Sequence, residues 1–412
     1  MNKTTCLLII YLLFSCTARQ SDENKVEVNS FGGNTLSVNE EGLEHHYIPL
    51  ETTDNNLFAD NPKEQGDNKK TDVIDFDNTT IGEIRINDIE YIPLETMDHS
   101  LLGTINKVIF KNNKFYILDK SQNKGVYIFD RKGKFISSIV RSGDGPGEYI
   151  EIMDMDVDND NNVYISDNAR TNIIKYTQAD PDKYEIIPIG EHFMEFAYLN
   201  EQYFILCNMF TSKGQTAKLA RFDRKDNTIT PILEKVSSNV NEMNILKCSQ
   251  HYLYRSNEEI LYNERFTPYI YSIAPTGKLT EKYMIHSNHY IQEEKLKGLE
   301  KNPMKFMQET SYIKDIICLY ENKDYFLCLP FIKPSATYLL IPQREPQTAK
   351  RIDLAKQDEL QGASLIIGTA DNRFIVSINY SESLKEKLKD KLKSWSEESN
   401  PLLVLFSFNI FD

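Results

Sequence analysis

A phrase of strand, turn and strand recurs along most of this 412-residue chain, and it restricts the fold more than any other feature. The clearest copy is residues 114–139 (KFYILDKSQNKGVYIFDRKGKFISSI), where short apolar runs alternate with polar turns. Residues 162–189 repeat it at a period of 48, so that Tyr116–Asp119 aligns with Tyr164–Asp167. Fainter copies occupy residues 202–233, 259–285, 325–343 and 373–410.

Six copies spread over roughly 330 residues give about 50 residues per copy, which is the length of a four-stranded propeller blade. A sandwich or a series of small β domains would not repeat one phrase so regularly. Because each blade buries its two faces against its neighbours, a closed ring needs no single large core. The sequence therefore predicts an all-β fold, a six-bladed β-propeller over residues 81–412.

Two stretches interrupt the strands. Residues 291–312 predict two short helices broken at Asn302-Pro303. Residues 383–395 predict one helix, with Ser383 and Glu386 as a capping box. Its apolar side chains, Leu384, Leu388, Leu392 and Trp395, share one stripe. Each insertion either packs that side on the propeller or forms a lid over the channel mouth.

The first sixteen residues have the pattern of an export signal. Lys3 precedes an apolar run from Cys6 to Phe14, which is too short to span a bilayer and has the length of a signal-peptide core. The run ends in Leu13-Phe14-Ser15-Cys16, which resembles the bacterial lipobox. That resemblance implies cleavage after residues 1–15, acylation of Cys16, and attachment to a membrane through the lipid.

Residues 16–80 predict a flexible tether, because they are rich in Asn, Asp, Glu and Gly and contain few apolar runs. Ser21-Asp22-Glu23 resembles the short acidic signal that directs lipoproteins of Bacteroidetes-type bacteria to the outer face of the outer membrane. The alternative is a solvated acidic spacer.

One twelve-residue segment occurs twice, as YIPLETTDNNLF from Tyr47 and as YIPLETMDHSLL from Tyr91. The spacing of 44 is close to a blade length, but the strand phrase follows only the second copy. We therefore expect Tyr91–Leu94 to enter the ring and the first copy to remain in the tether. Propeller rings are commonly closed by an N-terminal strand, so we expect Ile89–Leu94 to pair with Leu402–Phe408.

Charge and cysteine content narrow the class of partner. The formal net charge is −14, and it becomes −15 without residues 1–15, whose one charged side chain is Lys3. No basic cluster is present, so nucleic acid is excluded as a partner. Cys318 and Cys328 flank a predicted hairpin, where they form either a disulfide or two buried free thiols.

The loop Gly143-Asp-Gly-Pro-Gly-Glu-Tyr149 is the strongest candidate for a ligand site. Its glycines allow close backbone approach, and the loop follows the last strand of one blade. In one interpretation Arg141, Asp144, Glu148 and Tyr149 present polar groups to a ligand. In the other, the loop is an ordered crossover between blades, in which Asp144 caps its own backbone.

Two patterns imitate metal sites. Residues 156–167 (DVDNDNNVYISD) place carboxylates at positions 1, 3, 5 and 12 of a calcium loop but lack the glycine at position 6, and a polar hairpin explains them better. His286 and His289 lack a fixed third ligand. The sequence contains no nucleophile, metalloprotease, phosphate-loop or dinucleotide motif. We therefore assign no metal, no cofactor and no catalytic residue.

Four segments together resemble a family of six-bladed β-propeller lipoproteins of Bacteroidetes-type bacteria. They are IEYIPLETMDHSLLG, KFYILD, VYIFDRKGKFISSIVRSGDGPGEY and NPLLVLF. The match covers about residues 81–412, and GDGPGEY is its most specific element. The resemblance implies the fold, an exported lipid anchor and association with glycan or nutrient uptake, and it supplies no catalytic residues.

The expected function is the binding of a glycan, a peptide or a transport-complex protein at the cell surface. The alternative is a hydrolase or lyase that uses the central channel, and a third possibility is a regulatory partner of a transport complex. A cluster of His and carboxylates from several blades at the channel would favour an enzyme. Apolar and amide groups there would favour binding.

Overall fold

The fold is described here from a computed structural model. The structure describes residues 71–410, apart from several short gaps and two longer ones at 235–250 and 291–311. It also describes two short strands upstream of residue 71. The chain divides into two compact units, Met1–Lys70 and Thr71–Asp412. In the first unit, β1 (Glu27–Asn29) pairs antiparallel with β2 (Thr35–Ser37). Cys16, the acidic triplet and the first YIPLET copy lie outside the described residues.

The second unit opens with two strands, β3 (Asp72–Asp75) and β4 (Ile84–Pro93). Consecutive antiparallel blades follow. Blade 1 comprises β5 (Lys107–Lys111), β6 (Lys114–Asp119), β7 (Gly125–Asp130) and β8 (Phe135–Ile139). Blade 2 comprises β9 (Ile152–Val157), β10 (Val163–Asp167), β11 (Asn172–Thr177) and β12 (Asp180–Pro188). Blade 3 comprises β13 (Glu195–Tyr198), β14 (Tyr203–Thr211), β15 (Gly214–Asp223) and β16 (Thr228–Glu234).

The remaining blades repeat the meander. Blade 4 comprises β17 (Leu253–Ser256), β18 (Glu259–Asn263), β19 (Tyr269–Ile273) and β20 (Leu279–His286). Blade 5 comprises β21 (Ile316–Glu321), β22 (Tyr325–Pro330), β23 (Tyr338–Pro342) and β24 (Lys350–Ile352). Blade 6 comprises β25 (Gly368–Ala370), β26 (Arg373–Ile378) and β27 (Leu402–Ile410), with β4 as its fourth strand. The predicted six-bladed β-propeller is confirmed.

The first strands of successive blades line the ring. Contacts run from β5 through β9, β13, β17, β21 and β25, and they return from β25 to β5. Because each blade is an antiparallel meander, the connections between second and third strands and those between blades reach one face. The connections between first and second strands, and between third and fourth strands, reach the other.

Non-covalent strand pairing closes the ring. β27 pairs antiparallel with β4, with Val404 opposite Tyr91 and Leu402 opposite Pro93. Ile92 and Leu94 then lie in the apolar cluster between blades 6 and 1, where they are 2% and 3% exposed. The predicted closure by Ile89–Leu94 is confirmed, and the second YIPLET copy is the one that enters the ring.

The segment ahead of β4 is also part of the propeller, although the predicted boundary at residue 81 excludes it. β3 adds to the outer edge of β20 in parallel, with Asp72 opposite Tyr283. Further along, the Arg351 N–H donates to the Thr80 carbonyl (2.9 Å) and the Gly82 N–H donates to the Arg351 carbonyl (3.0 Å). Residues 72–82 therefore form a strap across the outer edges of blades 4 and 5.

The apolar core is divided among the contacts between blades. One cluster joins blades 1 and 2, others join blades 2 and 3, 3 and 4, and 6 and 1, and a larger one extends through blades 4 to 6. Tyr and Phe fill these clusters, which matches their alternation along the strands. Each blade is thus stabilised by its neighbours.

The predicted helix in blade 6 is shorter and starts earlier than expected. α1 spans Glu382–Leu388, and its N-cap is Ser381, whose hydroxyl accepts from the Leu384 N–H. The predicted Ser383–Glu386 capping box is therefore wrong, because the extended residue Ser381 supplies the cap. Leu384, Leu388, Leu392 and Trp395 are all buried in the cluster of blades 4 to 6, as a stripe packed on the propeller requires. The predicted helices at 291–312 lie almost entirely outside the described residues. No helix in the described part is long and apolar enough to cross a membrane.

The cysteines of blade 5 are free thiols. Cys318 and Cys328 are both buried and unbonded, although they lie on neighbouring strands. The register of the β21–β22 ladder shifts between Ile317 and Tyr320. Cys318 lies in this irregular stretch, where its backbone φ is 56°. Burial raises the pKa of the Cys318 thiol to about 12 and raises that of Cys328 further. Both thiols are therefore neutral and unreactive in the folded protein.

The duplicated segment provides a matched test of ring closure. Truncating Ile92→Ala should lower the free energy of unfolding by about 3 kcal/mol, because it removes a buried side chain from the closing strand. Truncating Ile48→Ala, at the equivalent position of the first copy, should leave stability unchanged. Chemical denaturation of both variants measures the difference. Equal destabilisation would show that the first copy also supports the ring.

The thiols provide a second test. Iodoacetamide should leave Cys318 and Cys328 unmodified in the native protein and label both after denaturation without a reductant, because burial keeps the thiols protonated and inaccessible. Peptide mapping by mass spectrometry identifies each site. A peptide pair that carries the label only after reduction would contradict the free-thiol state.

Candidate functional site

Charged side chains from four blades meet where the first strands line the ring. Asp154 and Asp156 extend from β9, Lys107 from β5 and Glu195 from β13, and Arg255 extends from β17. Residues two apart on a strand point to the same face, so both aspartates of β9 face the same neighbours. We call these five residues the axial cluster.

Lys107 and Asp154 form the first ion pair of the axial cluster. The Lys107 ammonium donates to Asp154 Oδ1 (2.8 Å), and the Phe196 N–H donates to Asp154 Oδ2 (3.1 Å). Burial lowers the pKa of Lys107, but the surrounding carboxylates outweigh it, so the net pKa is raised. Burial also raises the pKa of Asp154, and Lys107 only partly offsets this. The pair is held between strands of three blades.

Asp156 and Arg255 form the second pair, which is bidentate. Arg255 Nε donates to Asp156 Oδ1 (2.9 Å), and a terminal guanidinium nitrogen donates to Oδ2. The Tyr198 N–H also donates to Oδ2 (2.8 Å). Burial raises the pKa of Asp156, yet Arg255 and these donors lower it more, so the net pKa lies below the ordinary value. This carboxylate stays charged and fully paired.

Glu195 of blade 3 forms hydrogen bonds with the backbone of blade 4. Its Oε2 accepts from the N–H groups of Tyr252 (2.7 Å) and Leu253 (3.0 Å). Its other oxygen lies 3.4 Å from His251 Nδ1. On the opposite side of that ring, His251 Nε2 lies 2.7 Å from the Asn106 carbonyl, which can only accept, so Nε2 carries a proton. His251 therefore connects blades 1, 3 and 4 at one end of the ring.

The paired charges leave little empty space. A cavity of about 10 Å³ lies among them, lined by Lys107, Asp156, Phe196, Ala197, Leu253, Arg255 and Ile260. That volume holds about one water molecule. Residue types at the axis match the expectation for an enzyme, because carboxylates and a histidine converge from several blades. Their hydrogen bonds do not match it, because the aspartates are engaged by cations and backbone donors.

The GDGPGEY loop is a compact crossover between blades 1 and 2. Glu148 folds back, and its Oε2 accepts from the Gly145 N–H (2.8 Å). Gly147 has φ of 73°, and the Tyr184 ring lies so close that a Cβ at this position would approach it within 2.5 Å. Gly147 is therefore required both for its conformation and for its contact. The predicted cap by Asp144 is wrong, because Glu148 accepts from the loop backbone and Asp144 accepts from Arg170 instead.

The structure separates the four residues that the sequence proposed for a ligand. Tyr149 is fully buried, and its hydroxyl donates to the Lys124 carbonyl (2.7 Å), so it presents nothing to solvent. Glu148 is engaged within the loop. Arg141 pairs with Asp182 of β12, and Asp144 accepts from Arg170 (3.1 Å). Arg141 and Asp144 thus lie at the outer rim, where a role in ligand binding remains a prediction.

The calcium-like pattern is a hairpin. Asp158 accepts from the N–H groups of Asp160 (2.9 Å) and Asn162 (2.8 Å) and from the Tyr164 hydroxyl (3.1 Å). In the histidine loop, Asp77 of the strap accepts from the Ser287 hydroxyl and from the Asn288 N–H. Within the described residues, no three His, Cys, Asp or Glu side chains are arranged to hold a metal ion.

The sequence patterns did not predict the axial cluster, although one local pattern pointed to it. Residues 152–157 (IMDMDV) place two carboxylates two apart inside an otherwise apolar strand. Alternation in a buried strand normally puts such groups on one face, where they need cationic partners. Their partners Lys107 and Arg255 belong to distant strands, and nothing local in the sequence indicates them.

Comparison with known proteins identifies the family and the fold. A family model described as Domain of unknown function (DUF4934) matches residues 78–407. No curated protein matches the chain. The solved structure of a Bacteroides fragilis protein described as exported shares 16% sequence identity with this chain, at a TM-score of 0.61. The match covers 83% of this chain and 99% of that protein. A DUF4221-family protein from Bacteroides vulgatus shares 10% identity at a TM-score of 0.50, covering 81% of this chain and 100% of its own.

The axial ion pairs generate a test of stability and of its pH dependence. Asp156→Asn should lower the free energy of unfolding by about 3 kcal/mol at neutral pH, because it leaves the half-buried Arg255 charge without its carboxylate partner. The folded-state pKa of Asp156 is lowered, so its contribution is complete above the ordinary Asp pKa and is lost as pH falls through the folded value. The difference in the free energy of unfolding between wild type and D156N should therefore become smaller as the pH falls.

The matched control for that test is Asp182→Asn, which removes the exposed partner of Arg141. It should change the free energy of unfolding by less than about 0.5 kcal/mol, because surface ion pairs contribute little. Denaturant titrations across a range of acidic pH measure both variants. A gap that stayed constant with pH would contradict the assigned charge state of Asp156.

Proposed function

This chain belongs to the DUF4934 family, and we propose that it is an exported, lipid-anchored protein whose propeller binds a ligand or a partner protein on its outer surface. The observation that carries the binding role is the mutual pairing of the charges in the axial cluster. Lys107, Asp154, Asp156 and Arg255 neutralise one another there, and the cavity that three of them line has a volume of about 10 Å³. We infer that recognition of a larger molecule falls to the loops and blade edges.

Export and anchoring are supported by the N-terminal sequence. The lipobox-like Leu13–Cys16, the acidic Ser21–Glu23 and the tether together suit a lipoprotein displayed on the outer face of an outer membrane. The description of the B. fragilis structural relative as exported agrees with this placement. On a cell surface, the propeller would serve as an accessory to the uptake of nutrients or glycans.

The face that carries the connections between blades has the larger surface for recognition. It includes the crossovers at 140–151 and 353–367, and the insertion that contains α1. Leu101 and Leu365, which are 42% and 38% exposed, lie in connections of this face. These apolar groups and the net negative charge favour a partner with apolar and basic groups.

The alternative is a hydrolase or lyase with its active site at the axis. The residue types His251, Glu195 and Asp154 favour it, since they converge from three consecutive blades, 4, 3 and 2. Incubation of the purified protein with panels of glycans and peptides, with mass spectrometry of bound and released material, separates the two functions. Binding without new products supports the proposal. Products that disappear with Asp154→Asn would support the enzyme.

The lipid anchor has a direct test. Cys16→Ala should abolish incorporation of radiolabelled palmitate and release the protein from the membrane fraction, because the acylated residue is lost. Cys6→Ala is the matched control, since Cys6 lies in the segment that cleavage removes, and it should retain labelling. Labelling that persists in C16A would overturn the anchor and leave the binding role to be judged separately.

A further inference from the structure

The ring opens on two faces, and one of them carries the hairpins that join the first and second strands of each blade. Lys111 is the last residue of β5 and stands beside the Asn112-Asn113 turn of the blade 1 hairpin. Lys107 and Lys111 are an even number of residues apart on β5, so both point from this strand toward blade 2. Arg255 is the next-to-last residue of β17 and lies toward the same end of its strand. We call the end of the ring beside Lys111 and Arg255 the hairpin mouth.

Lys111 differs from the other cations at the axis. The first strands of the described blades carry three cations, and two of them, Lys107 and Arg255, pair with the aspartates of β9. In the described part of the chain, the Lys111 ammonium donates to the Val157 carbonyl (3.0 Å) and forms no salt bridge. An ammonium has three donors, so two of them remain unused. The chain has 61 acidic and 47 basic side chains, so a shortage of carboxylates does not explain this.

The carboxylates around Lys111 have no acceptor capacity left. Asp156 and Asp158 are the two that act on its charge. Asp156 accepts two hydrogen bonds from Arg255 and two from backbone N–H groups. Asp158 accepts four, all from within the hairpin of blade 2. A carboxylate has about four lone-pair sites, so both groups are saturated.

Arg255 also has donors left over. Its Nε and one terminal nitrogen donate to Asp156, and that terminal nitrogen also donates to the Tyr198 carbonyl (2.8 Å). The other terminal nitrogen, Nη1, makes no hydrogen bond among the residues that the structure describes. The Arg255 side chain is 20% exposed and Lys111 is half-buried, so solvent reaches both cations.

The two cations lie close enough to affect each other. Burial lowers the pKa of the Lys111 ammonium, and Arg255 lowers it further. Asp156 and Asp158 raise the pKa only in part, so it lies below the ordinary value. An additional negative charge near Lys111 and Arg255 would therefore stabilise their charged forms.

The turn beside Lys111 is fixed to the next blade. The Asn112 side-chain amide donates to the Asn159 carbonyl (2.9 Å) and to Asn161 Oδ1 (3.0 Å) in the hairpin of blade 2. Together with the contact from Lys111 to Val157, these bonds hold the end of β5 in place. The donors at the hairpin mouth are therefore positioned before any ligand arrives.

We propose that Lys111 and Arg255 bind an oxyanion, a carboxylate or a sulfate group, at the hairpin mouth. Lys111 supplies a compact charge with two unused donors, and Arg255 Nη1 supplies two more in a fixed direction. The saturated aspartates hold Arg255 in position and offer Lys111 no competing acceptor. This inference goes beyond the proposed function, since the site needs no protein partner and lies on the face opposite the connections between blades.

Lysine modification tests whether an anion occupies the site. Reductive methylation of the full-length protein, followed by peptide mapping, measures the rate at each lysine. Sodium sulfate or sodium acetate should slow the modification of Lys111 relative to sodium chloride at equal ionic strength, because a bound oxyanion covers the ammonium. Lys132, which is exposed in a turn of the same blade, is the internal control and should react equally in all three salts. Protection by one anion alone would identify the bound group as a sulfate or as a carboxylate.

Substitutions test the residue itself. A bound anion stabilises the native state, so the melting temperature should rise with anion concentration. Sulfate also stabilises proteins nonspecifically, so the measurement is the difference between variants. Lys111→Gln should need at least about tenfold more anion than wild type for the same rise, because a charge-assisted hydrogen bond is lost. Lys111→Arg should remain close to wild type, and Lys132→Gln, the matched control, should equal it.

Two results would overturn the proposal. One is a modification rate of Lys111 that is the same in all three salts, and the other is equal stabilisation of K111Q and K132Q by both anions. If K111Q does not fold, the protection of Lys111 in the wild-type protein still decides the outcome. None of these results bears on partner binding at the loops, which the glycan and peptide panels test separately.

Discussion

The pairing of β27 with β4 is the interaction on which the rest of the structure depends. A propeller blade has two apolar faces and no core of its own, so every blade is stable only when both neighbours are in place. One antiparallel ladder joins the ends of the chain from Ile84–Ile410 to Pro93–Leu402 and fixes blade 6 against blade 1. Through Ile92, Leu94 and Leu405 the same ladder supplies the apolar cluster between them.

Closure of the ring brings the first strands together, and this creates an electrostatic demand at the axis. Asp154 and Asp156 are nearly fully buried, and an unpaired buried charge would cost several kcal/mol. Lys107 and Arg255 meet that demand from different blades, so the ion pairs also specify which strands face each other. The result is an axis at which the buried charges are paired, and the recognition that we propose lies on the loops and the rim.

The outer edges of the blades expose unpaired backbone N–H and C=O groups, because every blade ends in a strand with one unpaired side. The chain protects these groups differently from blade to blade: the strap covers two edges, a proline blocks one, and an irregular ladder marks another. The edge strand of blade 2, β12, has prolines at residues 181 and 188.

The sequence by itself determined the blades and the segment that closes them. Strand alternation and turn residues are local, so the repeated phrase predicted the propeller, and the strand phrase after only the second YIPLET copy identified Tyr91–Leu94 as the closing segment. Only the tertiary structure decided the site. Asp156 and Arg255 are 99 residues apart, Tyr149 is buried because its hydroxyl reaches Lys124, and the strap lies on blades that come much later in the chain. Such pairings depend on how distant strands are placed around the ring, and no local pattern of residues encodes that placement.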